Sequence, residues 1–290
     1  MRLGGFVIHS NASSTIEPCL DSLAATCDRL VTIDTGSADG TAALAVAKGF
    51  TVLRRPWEGY GAARVEAVRA LDDCDWIIFL DSDEWLGPEA IEAVRRLMDS
   101  PPGAPCVALP RRNWADFDGR RFVYQHEHPV RLARRDHARF ERHMIVHEAI
   151  PPARTVSLDA VIEHRSITSI ESLRAKMGRY ALLWALRHNL ESRRASSPTL
   201  QWALHMVRDL MLRGAAFSGR LEAFPIAAAF ADYHAWKYAL LREVRSGGYA
   251  HLVSLLREDR LEELFRTLPA VVPELKAWAP WAALLQEKDS

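Results

Sequence analysis

Three carboxylates stand within four residues of IIFLDSDEWL, the stretch that spans residues 77–86. Asp81, Asp83 and Glu84 follow a continuous apolar run, so we expect a buried strand to end where they begin. In an extended chain Asp81 and Asp83 point to one side, while Ser82 and Glu84 point to the other. One face can then hold a divalent cation such as Mg²⁺ or Mn²⁺, which prefers oxygen ligands and is held by one or two carboxylates together with substrate phosphates.

Three other roles compete for these carboxylates. Acidic side chains favour a helix N-terminus, and a helix is expected to begin near Pro88, but this accounts for one acid rather than three. A calcium-binding EF-hand loop needs an oxygen ligand where Trp85 stands and a glycine where Leu86 stands. A phosphatase of the haloacid dehalogenase type also carries Asp-x-Asp after a strand, although on its first strand and followed by a threonine. A cation site that grips a diphosphate fits the residues best.

The elements that must position these carboxylates follow a βαβ pattern. Short apolar runs alternate with helical segments over the first hundred residues, which predicts a parallel sheet. The expected strands are Leu3–His9, Leu30–Asp34, Thr51–Arg54 and Trp76–Leu80. Sheets of this kind bind ligands outside the carboxyl ends of their strands. Those ends carry Ser10, Asp34, Asp81 and Asp83, which are therefore expected to converge.

Residues 104–164 read as further strands, which we expect to extend the sheet and to wall one side of a cleft. In HMIVHEAI, alternation places Glu148 among apolar neighbours. Burial raises the pKa of a carboxyl, which suits a general base near neutral pH. An ion pair with Arg131 or Arg142 explains Glu148 equally simply, and both interpretations remain open.

Two further residues of this region are candidates for the site. The same alternation places His164 on the apolar face of TVSLDAVIEH. It is either a structural histidine or a further ligand of the cation. Arg131, in VRLARRD, is a candidate for phosphate contact because a guanidinium group matches phosphate oxygens bidentately.

The region from residue 165 is helical in pattern and differs in charge from the rest. Residues 165–245 hold thirteen Lys or Arg against six Asp or Glu, within a chain of zero net charge. Aromatic residues interleave with these arginines, as in amphipathic helices that lie on an anionic membrane surface. A helical bundle with a solvated basic face remains the alternative.

Composition excludes several classes of protein. A chain that is 49% hydrophobic and 26% charged is neither disordered nor fibrous. Zero net charge argues against a general nucleic-acid binder. The four cysteines have no metal-finger spacing, and no apolar run reaches the length of a membrane span or of a signal peptide. We expect a cytoplasmic protein, peripheral on the inner face of the cytoplasmic membrane.

Three stretches, VTIDTGSADGT, RPWEGYGAARVEAV and WIIFLDSDEWLGPEA, together resemble family 2 glycosyltransferases, in which the last carries the D-x-D motif. The resemblance continues through LPRRNW, HPVRLARRD, VHEAI and IEHRSI into the helical region, and is similar to lipopolysaccharide core β-glucosyltransferases. It implies a GT-A nucleotide-diphospho-sugar transferase fold, α/β with a mostly parallel sheet flanked by helices, over residues 1–164. Residues 165–290 would form the helical, acceptor- or membrane-associated part.

The resemblance also implies roles for single residues. Asp34 would contact the nucleobase, and Ser10 lies where the first strand touches the base. Arg64 would face the diphosphate. Asp81 would hold the ribose or a metal-bound water, and Asp83 would bind the metal directly.

The activity expected is metal-dependent, inverting transfer of a hexose, with glucose favoured, from a nucleotide diphosphate sugar, with a UDP-sugar favoured, to a lipid-linked envelope saccharide such as the lipopolysaccharide inner core. Glu148 would be the base, and Asp81, Asp83 and His164 would form the metal site. Glu84 and Trp85 would face the acceptor. A peptide, protein or capsular acceptor and a non-catalytic nucleotide-sugar-binding module remain open.

Overall fold

The computed structural model describes residues 1–142, 150, 151, 153–190, 195–212 and 223–271. They group into two compact units. Unit 1 comprises Met1–Ala115 and Arg121–Ser166, and unit 2 comprises Asp116–Arg120 and the chain from Ile167 onward. The boundary proposed from sequence lay between residues 164 and 165.

Strands and helices alternate through the first part of the chain. In order they are β1 (Leu3–His9), α1 (Glu17–Thr26), β2 (Arg29–Asp34), α2 (Thr41–Ala47), β3 (Thr51–Arg54), α3 (Tyr60–Arg69), β4 (Trp76–Asp81), β5 (Glu84–Leu86), α4 (Pro88–Asp99), β6 (Cys106–Ala108), β7 (Arg111–Phe117), β8 (Arg120–Glu127), β9 (Val130–Arg134), β10 (Thr155–Ser157) and β11 (Ile162–Ile167).

The main sheet has the strand order β10-β6-β9-β4-β1-β2-β3. β1 pairs in parallel with β2 and β4, β2 with β3, and β10 with β6, whereas β9 runs antiparallel to β4 and β6. The mainly parallel sheet predicted from the βαβ pattern is therefore confirmed.

Two expectations about the strands were wrong. The later strands do not all extend the main sheet, because β7, β8 and β11 join β5 in a separate sheet of order β5-β11-β7-β8. The extended alternation from Asp81 to Glu84 also fails, since β4 ends at Asp81, a turn occupies residues 82–83, and Glu84 begins β5. The expected strand around Glu148 falls on residues 143–149, which lie outside the described residues.

The core lies on both faces of the main sheet, which is why β4 is apolar throughout. Ile78 and Leu80 belong to one hydrophobic cluster, and Ile77 and Phe79 belong to the other. Successive strand residues point to opposite faces, so a strand covered on both sides reads as a continuous apolar run. Burial of one such side chain stabilises the fold by roughly 1.5–3 kcal/mol. In β1, a Cβ on Gly5 would meet the Sγ of Cys27 at 2.6 Å, so glycine permits this close packing.

Unit 2 is built of helices. In order they are α5 (Ile170–Leu190), α6 (Pro198–Leu212), α7 (Ala223–Arg245), α8 (Ala250–Arg257) and α9 (Leu261–Val271). α7 packs against both α5 and α6. Buried alanines, including Ala227, Ala231 and Ala235, permit close approach along α7, and the indole Nε1 of Trp202 on α6 donates to Asp232 at 2.9 Å. Among the residues that the structure describes, no helix has the length and apolarity needed to cross a bilayer.

Candidate active site

Three parallel strands bring their carboxyl ends to one edge of the main sheet. The register aligns His9 of β1 with Asp34 of β2, and Ile8 of β1 with Asp81 of β4. Ser10 follows β1 directly and is exposed. The convergence expected from the βαβ pattern therefore occurs, because parallel strands of one sheet all end on the same side.

Asp34 borders an open cleft of about 330 Å³, which is also lined by Gly36, Ser37 and the segment 54–56. Its Oδ1 accepts the backbone N–H groups of Ser37 at 2.8 Å and Gly36 at 3.2 Å. The turn requires a positive φ of 109° at Gly36, which glycine adopts without strain. Burial alone would raise the pKa of Asp34, but the hydrogen bonds from Ser37 and the nearby His9 and Gly36 hold this pKa below its usual value.

The other oxygen of Asp34, Oδ2, has a different environment. Oδ2 is buried and accepts no hydrogen bond within the described part of the chain, although the Nε of the exposed Arg54 lies 3.4 Å away. A buried carboxylate oxygen without a hydrogen bond is costly unless a ligand or water satisfies it. Oδ2 of Asp34 therefore retains the capacity to accept a further hydrogen bond.

Asp81 is held between two buried arginines. Arg131 of β9 donates to its Oδ2 at 2.6 Å, and Arg64 of α3 lies 3.5 Å from its Oδ1. Both guanidinium groups also lie over the ring of Phe79, at 5.2 and 5.3 Å from its centroid. Burial would raise the pKa of Asp81, but the charges of Arg131 and Arg64 hold this pKa well below its usual value. The carboxylate is thus ionised and fixed by two cations.

Glu84 does not face an acceptor, contrary to one expectation from the sequence. Its side chain is fully buried, and its Oε1 accepts from Arg131 at 2.6 Å and from Arg111 at 2.5 Å. Its Oε2 accepts the backbone N–H of Asp81 at 3.0 Å. Neither does it cap α4, which begins at Pro88. Glu84 is instead an internal anchor that positions Arg131 and the end of β4.

Asp83 and His164 come together through the pairing of β5 with β11. The register aligns Glu84 with His164, and the backbone N–H of Arg165 donates to the carbonyl of Asp83 at 3.0 Å. As a result, Nε2 of His164 lies 3.4 Å from Oδ2 of Asp83. The sequence proposed these two residues as metal ligands without a reason for their proximity, and strand pairing supplies it.

Two residues that the sequence analysis did not single out hold the opposite side of His164. Nδ1 of His164 lies 2.6 Å from Oδ1 of Asn113, and the Nδ2 of Asn113 donates to Oε2 of Glu127 at 2.8 Å. Arg111 also donates to Glu127. Burial would raise the pKa of Glu127, but the charge and hydrogen bond of Arg111 outweigh it and lower this pKa.

The polar residues of β7 alternate between its two faces, but this pattern alone does not identify their partners. Arg111 and Asn113 are two positions apart on β7, so they share one face, while Arg112 and Trp114 on the other face bind Glu163. Alternation of polar residues on a strand does not say which other strand will face them.

The donor set fits a hard divalent cation in part. Asp83 offers a carboxylate, and His164 offers an imidazole nitrogen beside it. Two ligands at right angles around Mg²⁺, each about 2.1 Å from the ion, lie roughly 3.0 Å apart, and the observed separation of 3.4 Å is close to this. Within the described ranges, no cluster of three or more His, Cys, Asp or Glu side chains forms a complete site. Mg²⁺ commonly takes its remaining ligands from substrate phosphates and water.

Three further residues were expected at the site. Arg64 is buried rather than on the surface of its helix. Trp85 is half-buried and pairs with Glu163 of β11. Glu148 lies outside the described residues, so the prediction of a base there stays a prediction.

The mixed α/β architecture, with a mainly parallel sheet and a helical region after it, agrees with the GT-A fold expected from the resemblance. A sequence model of Glycosyl transferase family 2 matches residues 6–161. The match covers more than half of the chain, and the protein belongs to this family of glycosyltransferase enzymes.

Individual relatives match over part of their length. Lipopolysaccharide core biosynthesis glycosyltransferase LpsC of Rhizobium meliloti is 31% identical over 172 residues, which are 54% of this chain and 62% of LpsC. An uncharacterized glycosyltransferase of Rickettsia bellii is 28% identical over 99 residues, which are 34% of this chain and 33% of that protein. The chain spans between 21% and 62% of the length of the curated relatives that it matches.

Solved structures are similar at a lower level. TarS of Staphylococcus aureus is 17% identical with a TM-score of 0.44, over 92% of this chain and 55% of that chain. Glucosyl-3-phosphoglycerate synthase of Mycobacterium tuberculosis, crystallised with Mn²⁺, UDP and glucosyl-3-phosphoglycerate, is 26% identical with a TM-score of 0.32, over 38% of this chain and 44% of that chain.

Proposed function

We propose that this protein transfers a hexose, with inversion, from a nucleotide diphosphate sugar to a lipid-linked envelope saccharide. The observation that carries the proposal is the convergence at one sheet edge of the open cleft at Asp34, the Asp81–Arg64–Arg131 cluster, and the Asp83–His164 pair. Membership of Glycosyl transferase family 2 supports the reaction class.

The donor nucleotide is proposed to lie along this edge. Asp34 has one carboxylate oxygen free of hydrogen bonds, which suits the N–H donor of a uracil base. Arg54 and Arg55 line the same cleft and can meet phosphate oxygens. Arg64 and Arg131 lie further along the edge, where their positive charge lowers the energy of a diphosphate nearby. UDP-glucose or a close relative is the donor that we favour.

A divalent cation, Mg²⁺ or Mn²⁺, would be held by Asp83 and His164, with Asp81 as the further ligand predicted from the sequence. When bound, it would neutralise charge that builds on the diphosphate as the sugar departs. The protein's own arginines act in the same sense, because Arg64, Arg111 and Arg131 place three positive charges among Asp81, Glu84 and Glu127. Asp83, beside His164, adds a fourth carboxylate. With three positive and four negative charges, a divalent cation would change the formal charge of this group from −1 to +1.

Proton removal is assigned to Glu148. In the proposed step the acceptor hydroxyl gives its proton to the Glu148 carboxylate while its oxygen bonds to the anomeric carbon. The bond from that carbon to the diphosphate oxygen breaks, and its electron pair leaves with UDP. Positioning of donor and acceptor together lowers the remaining barrier.

A lipid-linked acceptor is supported by the name of the relative LpsC and by an apolar face on α6. Leu200, Leu204, Val207 and Met211 recur at helical spacing and are 49% to 59% exposed. The opposite face of α6 is buried through Trp202 and its neighbours. Exposed apolar side chains on a helix within a strongly basic region suit a surface of anionic lipid. We therefore propose a peripheral position on the inner face of the cytoplasmic membrane.

The direct test is donor turnover. Purified protein with Mn²⁺ or Mg²⁺ is incubated with UDP-, GDP- and dTDP-sugars, and binding and hydrolysis are measured. We expect binding of a UDP-sugar; the absence of binding and hydrolysis with every donor would refute the proposal. Transfer in a lipid-free extract would point to a protein acceptor instead.

Variants separate the roles. Asp83→Asn should lose the metal dependence of donor binding while the fold stays intact by circular dichroism, whereas Glu92→Gln on the exposed face of α4 should behave as wild type. Glu148→Gln should keep donor binding and lose transfer. Unchanged transfer in Glu148→Gln would remove this residue as the base.

A further inference from the structure

Asn113 lies between Glu127 and His164. It is 2% exposed and bridges the two with both ends of its amide. The amide nitrogen donates to Glu127, and the amide oxygen lies 2.6 Å from Nδ1 of His164. Both contacts connect different strands, because Asn113 is on β7, Glu127 is on β8 and His164 is on β11.

The orientation of this amide follows from the charge of Glu127. An ionised carboxylate only accepts hydrogen bonds. Glu127 stays ionised because Arg111 and Gln125 donate to it as well. The NH₂ group of Asn113 must therefore face Glu127. If the amide were reversed, its oxygen would face the carboxylate, and two buried acceptors would oppose each other at considerable cost.

The amide orientation in turn decides which nitrogen of His164 carries the proton. Asn113 offers only its carbonyl oxygen to Nδ1, so Nδ1 must donate. Nδ1 lies 2.6 Å from its acceptor, whereas Nε2 lies 3.4 Å from Oδ2 of Asp83, so the single N–H of an uncharged imidazole stays on Nδ1 and Nε2 carries the lone pair. That lone pair lies on the side of Asp83, whose Oδ2 is 3.4 Å away. A lone pair that faces a carboxylate oxygen is unfavourable by itself, so a cation shared by the two groups would stabilise this arrangement.

We propose that Glu127 and Asn113 are positioning residues that hold a proton on Nδ1 of His164, which leaves Nε2 to bind a divalent cation beside Asp83. The part that concerns the cation rests on the function proposed above. The tautomer itself does not, because it follows from the hydrogen bonds of the chain alone. Partners that fix the second nitrogen of a metal-binding histidine typically change metal affinity by about 10–100-fold when removed.

The first test uses the metal-free wild-type protein. Nitrogen-15 NMR of the imidazole groups distinguishes the two neutral tautomers, at about pH 8, above the ordinary pKa of histidine. The His164 signal is identified by its loss in His164→Gln. We expect protonated Nδ1 and unprotonated Nε2. The opposite tautomer would overturn the inference, and this outcome does not depend on any variant folding or on any metal binding.

The second test asks whether Glu127 and Asn113 control the cation. Glu127→Met removes the acceptor that orients the amide, so we expect a mixture of tautomers and a loss of Mn²⁺ affinity of about 10–100-fold. The double variant Asn113→Asp with Glu127→Gln exchanges amide and carboxylate but keeps an acceptor at Nδ1, so it should restore both readouts. Glu163→Gln, one residue from His164 and bonded on the other face to Trp114, is the matched control and should change neither.

Mn²⁺ affinity is measured by electron paramagnetic resonance of the free ion, with UDP present. Glu127→Met with wild-type tautomer and wild-type affinity would overturn the inference, as would a double variant that folds but restores neither. A wild-type protein that shows the expected tautomer but binds no Mn²⁺ would instead refute the metal role in the proposed function.

Discussion

The buried carboxylate of Glu84 makes the strongest prediction for stability. Its Oε1 accepts from Arg111 and Arg131, and its Oε2 accepts the backbone N–H of Asp81. Every partner is therefore a donor. In Glu84→Gln the side chain keeps its shape, but its new NH₂ group must face a donor in either orientation. The substitution also removes a negative charge between two arginines.

The magnitude follows from burial. Removal of one partner from a buried ion pair costs about 3–5 kcal/mol. Here Arg131 keeps Asp81 and Arg111 keeps Glu127, so we expect a loss near the lower end, about 3 kcal/mol. For a domain of 150–250 residues this corresponds to a fall in Tm of roughly 6–12 °C.

Calorimetry measures the change in Tm and urea unfolding measures the change in the free energy of unfolding. Glu92→Gln is the control. Glu92 is 70% exposed and pairs with Arg96 four residues later, so its loss should cost less than about 0.5 kcal/mol. A loss below about 1 kcal/mol in Glu84→Gln would mean that water or rearrangement satisfies the cluster, and the anchoring role argued for Glu84 would be wrong.

Three other predictions concern donor, membrane and pH. Asp34→Asn should weaken UDP binding by about 10–100-fold, because a hydrogen bond to a charged group contributes about 1.5–3 kcal/mol; calorimetric titration measures this, and equal affinity would exclude Asp34 from the base contact. Leu204→Gln with Val207→Gln should reduce flotation with phosphatidylglycerol vesicles at low salt, whereas the equally exposed Val46→Gln should not; no association of the wild type would favour the simple bundle. Burial lowers the pKa of Lys237 to about 8. The unfolded chain then binds more protons above that pH, so stability should rise from pH 8 towards 10, and Lys237→Met should flatten this rise.

Much of the fold was predictable because it is local in origin. A continuous apolar run ending in acids predicts β4 and its polar end, and the alternation of strands with helices predicts a parallel sheet. Parallel strands end on the same side, so the placement of Asp34 and Asp81 at one edge of the sheet followed from the pattern alone. The ends of the four parallel strands expected in the first hundred residues, β1 to β4, differ from the observed ends by one residue at most.

The tertiary structure decided the roles of residues that depend on pairing between distant strands. The turn at residues 82–83 moves Glu84 onto β5, and the pairing of β5 with β11 sets Asp83 beside His164. The separate sheet brings Arg111, Asn113 and Glu127 to the same cluster. Alternation along one strand tells which residues share a face, but not which strand will lie opposite, because that choice depends on the free energy of the whole chain. The sequence by itself therefore determined the sheet and its polar edge, and only the tertiary structure determined how the charges of that edge are paired.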